Sequence, residues 1–398
     1  LTKFDKQLNE ANLQNSFHGL VVMDPASNKV LYNTNGDKYF TPASNTKIVT
    51  LFTGLKMIPK HFPTMKYLEK NDSVYVIPTG DPSWLHPYLM DSTAINFLKP
   101  KKSVSVYLKN SETERFGPGW AWEDYHFYFS PERSPLPLYG NVATIINNDS
   151  LEVSPKFFLD SVQVTYSGKR RDEFKNQFYM NPERKDTVEV PFIVKEELIR
   201  NLLESVLQKK IAVLESLPLA QKKVLYGIKS DSIYKRMMHV SDNFLAEQIL
   251  MTASSTLSDT LGIQRAIDHM LENELSFLEQ QPRWVDGSGL SRYNLFTPKS
   301  FVQILQKLYQ EVDSERLFTL FPNWDATGTI SKWDNPTVEP FIFAKTGTLG
   351  NNFNLSGYLK TKSGKLLIFS FMNNHFKIPN SEIRLYIYNL LKSLHETH

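Results

Sequence analysis

The chain has 398 residues, 45 Lys and Arg against 42 Asp and Glu, a net charge of +3, nine histidines and no cysteine. That length predicts two or three domains; the small net charge gives no footprint for nucleic acid, and the lack of cysteine removes disulfides, thiolate metal sites and a cysteine nucleophile. The histidines show no HExxH-type spacing for a catalytic zinc, no cofactor motif is present, and no apolar run approaches the roughly 20 residues of a membrane span.

The first residues, LTKFDKQLNEANL, read as an amphipathic helix of a mature or trimmed chain, any secretory signal having been removed or never present. FHGLVVMDPASNKVLYN, residues 17–33, reads as two strands about an Asp-Pro turn. From about 43 to 58, Ile48, Leu51, Phe52 and Leu55 recur at three- and four-residue steps, which predicts a helix opening at Ala43 or Ser44.

Residues 60 to about 215 are rich in Pro, Tyr, Trp and Phe, with short strand-like runs (SVYVIPTGDP, KSVSVYL, NVATIIN, DSVQVTYSG) and a closing helix, KEELIRNLLESVLQKK. The aromatics of GPGWAWEDYHFYFSPERSPLPLYGN could stack on glycan, but aromatics clustered with proline more often pack as a loop on a core. The basic clusters Lys99, Lys101, Lys102 and Lys169, Arg170, Arg171 read as solvated surface. Beyond 220 the periodicity is again helical, followed by three strand runs (PFIFAKTGT, FNLSGYLKTK, KLLIFSFMNN) and a last helix, SEIRLYIYNLLKSLHE. Strands at both ends with helices between predict one antiparallel sheet built from both termini, and a β-rich insertion in that domain.

Three short motifs carry chemistry. Ser44 and Lys47 in SNTK lie three apart where a helix begins; taken alone this could be a helix cap and a surface lysine. SDN at 241–243 opens a helical run, and KTG at 345–347 lies in a strand run. The trio, in this order, is the active-site signature of penicillin-binding proteins and class A β-lactamases. Two decoys are set aside: KSG at 362–364 sits in a turn between strands, and Ser232 with Lys235 stands too near Ser241 to supply a separate corner.

The physical reading assigns Ser44 as nucleophile and Lys47, on the same helix face, as base. Burial and the nearby cation of Lys345 would favour the neutral amine that a base requires. Ser241 would pass protons to the leaving amine and Asn243 would hold Lys47 and a substrate amide. The amides of Ser44 and Thr348 would face the oxyanion, and Lys345, Thr346, Gly347 and Thr348 would form a positive, hydroxyl-rich pocket for a terminal carboxylate.

With these motifs, TGDPSWL (79–85), GPGWAWEDY (117–125), DGSGLSRYNLFTP (286–298) and AKTGTLGNNFNLSGYL (344–359), the chain resembles peptidase family S13. These are the D-alanyl-D-alanine carboxypeptidase/endopeptidases of the low-molecular-mass class C penicillin-binding proteins. The resemblance implies an α+β fold, a transpeptidase/β-lactamase-like domain with an antiparallel sheet flanked by helices. Residues 1–65 and 216–398 would form it, split by a β-rich insertion at 66–215 that is reduced relative to the family. It further implies cleavage of peptidoglycan stem peptides ending in D-Ala-D-Ala, a Ser44 acyl-enzyme that β-lactams trap, and a periplasmic or exported location that allows peripheral contact with the cell envelope. Arg292 matches a family position near the substrate side chain and Asp124 an acidic residue on the insertion; together they would suit a zwitterionic end such as that of diaminopimelate. Two rivals stand beside this reading: a β-lactamase or esterase on the same scaffold, which lacks the ExxLN glutamate loop here, and a non-catalytic wall-binding protein.

Overall fold

The computed structural model describes residues 15–70, 72–219, 221–323 and 340–397; the amphipathic stretch 1–13 lies outside them. The chain divides into two compact units. One comprises Leu1–Thr53, Tyr234–Asn243 and Ile267–His398, the other Gly54–Ile233 and Phe244–Ala266.

The first unit is built on a five-stranded antiparallel sheet in the order Ile342–Leu349, Asn352–Lys360, Leu366–Asn374, Phe17–Asp24, Lys29–Thr34. The two ends of the chain thus share one sheet, as the pattern of apolar runs predicts. Its three C-terminal strands read as near-continuous apolar runs because both faces are covered. On one face Leu20, Val22, Leu355, Phe369 and Phe371 pack against Ile383, Ile387, Leu390 and Leu394 of the helix Asn380–Thr397. Each such side chain contributes about 1.5–3 kcal/mol on burial.

Cross-strand partners share a face, so Lys345, Ser356 and Ser370, paired in register, point to the opposite side. There the helix Pro298–Glu311 packs, and Tyr358 donates to Leu305 O at 2.9 Å. Thr297 caps this helix by accepting from the Ser300 amide, with Pro298 at its first turn. The face of the sheet that carries Lys345 is therefore the polar one, and its polarity comes from strand positions that alternate with the apolar core.

The second unit holds a mixed five-stranded sheet in the order Ile211–Val213, Ser103–Val106, Ser73–Pro78, His61–Lys70, Lys223–Lys229, whose first two pairings are parallel. A three-stranded sheet and a two-stranded one accompany it. The helix Glu196–Leu207 buries Leu198, Ile199, Leu202 and Leu203 in the core of this unit. Within one basic cluster Arg171 is not the solvated residue its sequence suggests: it is 2% exposed, lies 5.0 Å from the Tyr125 ring and donates to Asp172 O. Backbone carbonyls take the place of water around it.

Asp81, of the Gly-Asp-Pro segment, is also buried here. It accepts from the Ser83 amide and the Ser83 hydroxyl, each at 2.8 Å. Burial raises its pKa to about 7, against the pull of those hydrogen bonds. The folded state therefore keeps a proton that the unfolded chain releases near pH 4, so stability falls as pH rises between those two values. At about 1.4 kcal/mol per pH unit the loss approaches roughly 4 kcal/mol. Asp81→Asn, which cannot ionise, is expected to flatten this limb; melting temperatures of both proteins from pH 4 to 8 test it, and parallel curves would refute it.

Candidate active site

Ser44 lies in a 3-10 turn, Ala43–Asn45, and the α-helix proper runs Thr46–Met57. The helix thus starts two residues after Ser44. Ala43 has φ of 49°, a left-handed conformation that no helix interior accepts. Gly289 approaches so closely that a Cβ there would stand 1.9 Å from Ala43 O. The N-cap position of this turn is Pro42, which offers no side-chain cap. Ser44 Oγ stands 3.0 Å from Lys47 Nζ.

Lys47 is fully buried. Besides Ser44, its Nζ donates to Asn243 Oδ1 at 2.6 Å and to Ser288 O at 2.7 Å. Both of these oxygens can only accept. In the neutral amine the two N–H bonds are thereby committed, and the lone pair is directed at the Ser44 hydroxyl. In the ammonium the third N–H takes that direction. The geometry serves the amine before proton transfer and the ammonium after it, with no movement between.

The stretch DGSGLS supplies the carbonyl. Asp286, fully buried, accepts from the amides of Gly289 at 2.9 Å and Ser291 at 2.7 Å and from Asn294 Nδ2 at 2.6 Å. This ties the loop so that Ser288 O meets Lys47 and Gly287 O meets Thr50 Oγ1. It is a structured turn, held by its own carboxylate.

Ser241 precedes the helix Asn243–Ser255 and has φ of 58°. Lys345 Nζ donates to Ser241 Oγ at 2.9 Å and to Thr346 O at 3.0 Å. Burial holds the Lys345 ammonium well below its ordinary pKa, and the charge of Lys47 pushes it further down. Ser44, Lys47, Ser241, Asn243 and Lys345 thus form two hydrogen-bonded groups within the first unit. Ser232 and Lys235, by contrast, are exposed on their helix, and Gly364 of KSG has φ of 84° in a hairpin turn.

The strand Ile342–Leu349 is the outer edge of its sheet. Ala344 donates its amide outward to Pro322 O at 2.9 Å, and strand alternation points the amides of Thr346 and Thr348 to the same side. Gly347 lies against the turn that carries Ser44: a Cβ there would stand 2.4 Å from Pro42 O and 3.1 Å from the Ser44 nitrogen. Only glycine allows that approach. Arg292 is exposed, with Nη1 3.4 Å from Gly350 O, just past this strand. Asp124 belongs to the second unit, in the 3-10 turn Trp122–His126.

Sequence reasoning missed Asn45. It donates to Lys345 O at 2.7 Å and accepts from Ser356 Oγ at 2.7 Å, which in turn meets Ser370 Oγ at 2.8 Å. Just upstream, Asn354 Nδ2 donates to Thr41 O and Pro42 O. The backbone either side of Ser44 is therefore bolted to the sheet by buried amides. The signal was present in FNLSGYL, where Asn354 and Ser356 stand two apart in an otherwise buried strand.

Two buried lysines, each bonded to a serine, beside the edge of an antiparallel sheet flanked by helices, are the layout of the transpeptidase-like serine hydrolases. The chain belongs to the D-Ala-D-Ala carboxypeptidase 3 (S13) family, which matches residues 1–156 and 182–392. It is 29% identical over 152 residues to D-alanyl-D-alanine carboxypeptidase DacB of Haemophilus influenzae, covering 36% of this chain and 31% of that protein. It is 29% identical over 154 residues to penicillin-sensitive carboxypeptidase A of Dictyostelium discoideum, covering 36% and 30%. These alignments span about a third of each relative. The crystal structure of penicillin binding protein 4 (dacB) from Haemophilus influenzae superposes with a TM-score of 0.77 at 19% identity, over 99% of both chains. No helix of the described residues is long and apolar enough to cross a membrane.

Proposed function

We propose that this protein is a serine D-Ala-D-Ala carboxypeptidase and cross-link endopeptidase of peptidoglycan, working in the periplasm or otherwise outside the cytoplasmic membrane. The observation that carries the reading is the Lys47 amine, held by two acceptors so that its remaining position meets Ser44 Oγ. Ser44 Oγ attacks the carbonyl of the penultimate D-Ala while its proton passes to Lys47 Nζ. The amides of Ser44 and Thr348 receive the oxyanion. The C–N bond then breaks, the leaving amine takes a proton relayed through Ser241 from the lysines, and D-Ala departs. Water attacks the Ser44 ester, giving a proton to Lys47, which returns it to Ser44 Oγ as the ester bond breaks and the shortened peptide leaves.

Lys345, Thr346, Gly347 and Thr348 form the pocket for the terminal carboxylate. Arg292, beside the end of that strand, recognises the charged end of the stem-peptide side chain. Residues 66–215 act as the module inserted into a catalytic domain formed by 1–65 and 216–398. β-Lactams acylate Ser44 because their strained amide enters the same attack but leaves no departing amine.

The test is intact-mass spectrometry with benzylpenicillin, peptide mapping of the adduct, and release of D-Ala from a pentapeptide. One adduct on the peptide containing Ser44, with D-Ala released, is expected. No adduct with penicillin intact would overturn the reading, and penicillin hydrolysed without an adduct would replace it with a β-lactamase.

A further inference from the structure

The strand register of the first unit defines a row of residues at one end of its sheet. Leu349 pairs with Asn352, Asn352 with Asn374 and Asn374 with Phe17, four strands in succession. Alternation along the strands puts all four on the face that carries Lys345. A cleft of about 510 Å³ opens there at Phe17 and Asn374, and Asn35, Lys38, Tyr39, Phe40 and His375 complete its lining. Phe40 covers the same face: a Cβ on Gly19, two residues along from Phe17, would stand 2.8 Å from its ring. Asn374 fixes the wall of the cleft, its Oδ1 accepting from the Thr41 amide at 2.7 Å and its Nδ2 donating to Thr41 O at 3.3 Å. That wall runs on directly into the turn that carries Ser44.

The reaction proposed above gives the row a direction. With the terminal carboxylate at Lys345 and Thr346 and the oxyanion at the Thr348 amide, the acyl part of the substrate continues toward Leu349, where the row begins. Strands lie about 4.8 Å apart, so three spacings put the cleft roughly 14 Å across the sheet from that strand. A pentapeptide has three residues ahead of D-Ala-D-Ala, roughly 10 Å when extended. The next group, the N-acetylated sugar that bears the stem peptide, therefore falls at the cleft. Its lining suits a pyranose: Phe17 and Tyr39, 66% and 51% exposed, offer rings to a C–H face. The His375 ring stands edge-on to Phe17 at 5.7 Å, and Asn35 is held by donating to His18 O at 2.9 Å, which brings an imidazole and an amide to hydroxyl and N-acetyl groups. Lys38 Nζ lies 3.4 Å from the Asp37 carboxylate, so its charge is offset and a neutral ligand is favoured over an anion. We propose that this cleft binds the N-acetylated sugar at the head of the stem peptide, with Phe17 and Tyr39 as its platform. The choice of sugar rests on the peptidase reading.

The probes are a stem pentapeptide and the same pentapeptide joined to N-acetylmuramic acid. Both are titrated by calorimetry into the whole chain carrying Ser44→Ala, which binds without turnover, alone and combined with Phe17→Ala, Tyr39→Ala or Tyr39→Phe. The sugar-bearing ligand is expected to bind about tenfold more tightly than the bare pentapeptide. Phe17→Ala and Tyr39→Ala should each narrow that gap and Tyr39→Phe, which keeps the ring, should retain it, with affinity for the bare pentapeptide unchanged throughout. Equal affinities for the two ligands before any change in the cleft, or a gap that survives both alanine substitutions, would overturn the proposal. Benzylpenicillin acylation is followed in parallel on the protein that keeps Ser44. A missing gap with acylation intact strikes the cleft alone, whereas missing acylation with the gap intact strikes the peptidase reading alone.

Discussion

Lys47→Met is expected to lose acylation by benzylpenicillin about as completely as Ser44→Ala, with second-order rate constants falling by on the order of 10³ or more. The two residues act as one unit. Ser44 Oγ has Lys47 Nζ at 3.0 Å as its proton acceptor, and a hydroxyl without a base is a poor nucleophile. The double variant should therefore be little worse than either single one, since the second change removes something already useless. Rates measured by stopped-flow for all three decide the matter. Additive losses would mean that the residues contribute separately and that another group accepts the proton. Each variant should remain folded, because methionine fills most of the space of the lysine stem, although Asn243 Oδ1 and Ser288 O lose their donor.

What could be read from the sequence follows a physical line between local and non-local information. The hairpin Phe17–Asp24 and Lys29–Thr34, the helix after Ser44 and the strand runs at the C-terminus announce themselves through apolar periodicity, which is a property of neighbours. The motifs gave Ser44, Lys47, Ser241, Asn243 and Lys345 because side-chain chemistry leaves a mark in the alphabet. The Ser288 carbonyl leaves none: any residue has one, and only the loop tied by Asp286 brings it to Lys47. Ala43 and Ser241, both at positive φ, likewise owe their backbone to contacts distant in sequence. The parallel pairing of Ile211–Val213 with Ser103–Val106 joins segments about a hundred residues apart, so short alternating runs could suggest a β-rich region without giving its register. Arg171 misled for the converse reason, a surface-type residue being drawn inward by the carbonyls of Asp172, Glu173 and Lys175.

Lys345→Met should abolish release of D-Ala while changing how stability depends on pH. Lys345 is buried, and burial first, then the neighbouring charge of Lys47, depresses its pKa well below 10.5. The unfolded chain thus holds a proton at Lys345 over a range of pH in which the folded protein has released it. Under that condition stability rises with pH, from the depressed folded value up to the ordinary lysine value, and the penalty is fully present below both. The methionine variant carries no such proton. Its unfolding midpoint in urea should rise less steeply with pH through the alkaline range than that of the parent, and the two curves should diverge in slope by up to about one proton. Equal slopes would show that Lys345 titrates alike in both states and would overturn this reading. The variant gives up donation to Ser241 Oγ and Thr346 O, so its absolute stability mixes a gain from removing a poorly solvated cation with the loss of two hydrogen bonds. The slope is free of that mixture. A site that buries Lys345 beside the charge of Lys47 is unfavourable for the fold, and under the function proposed above the same placement serves proton transfer between the lysines and the serines they contact.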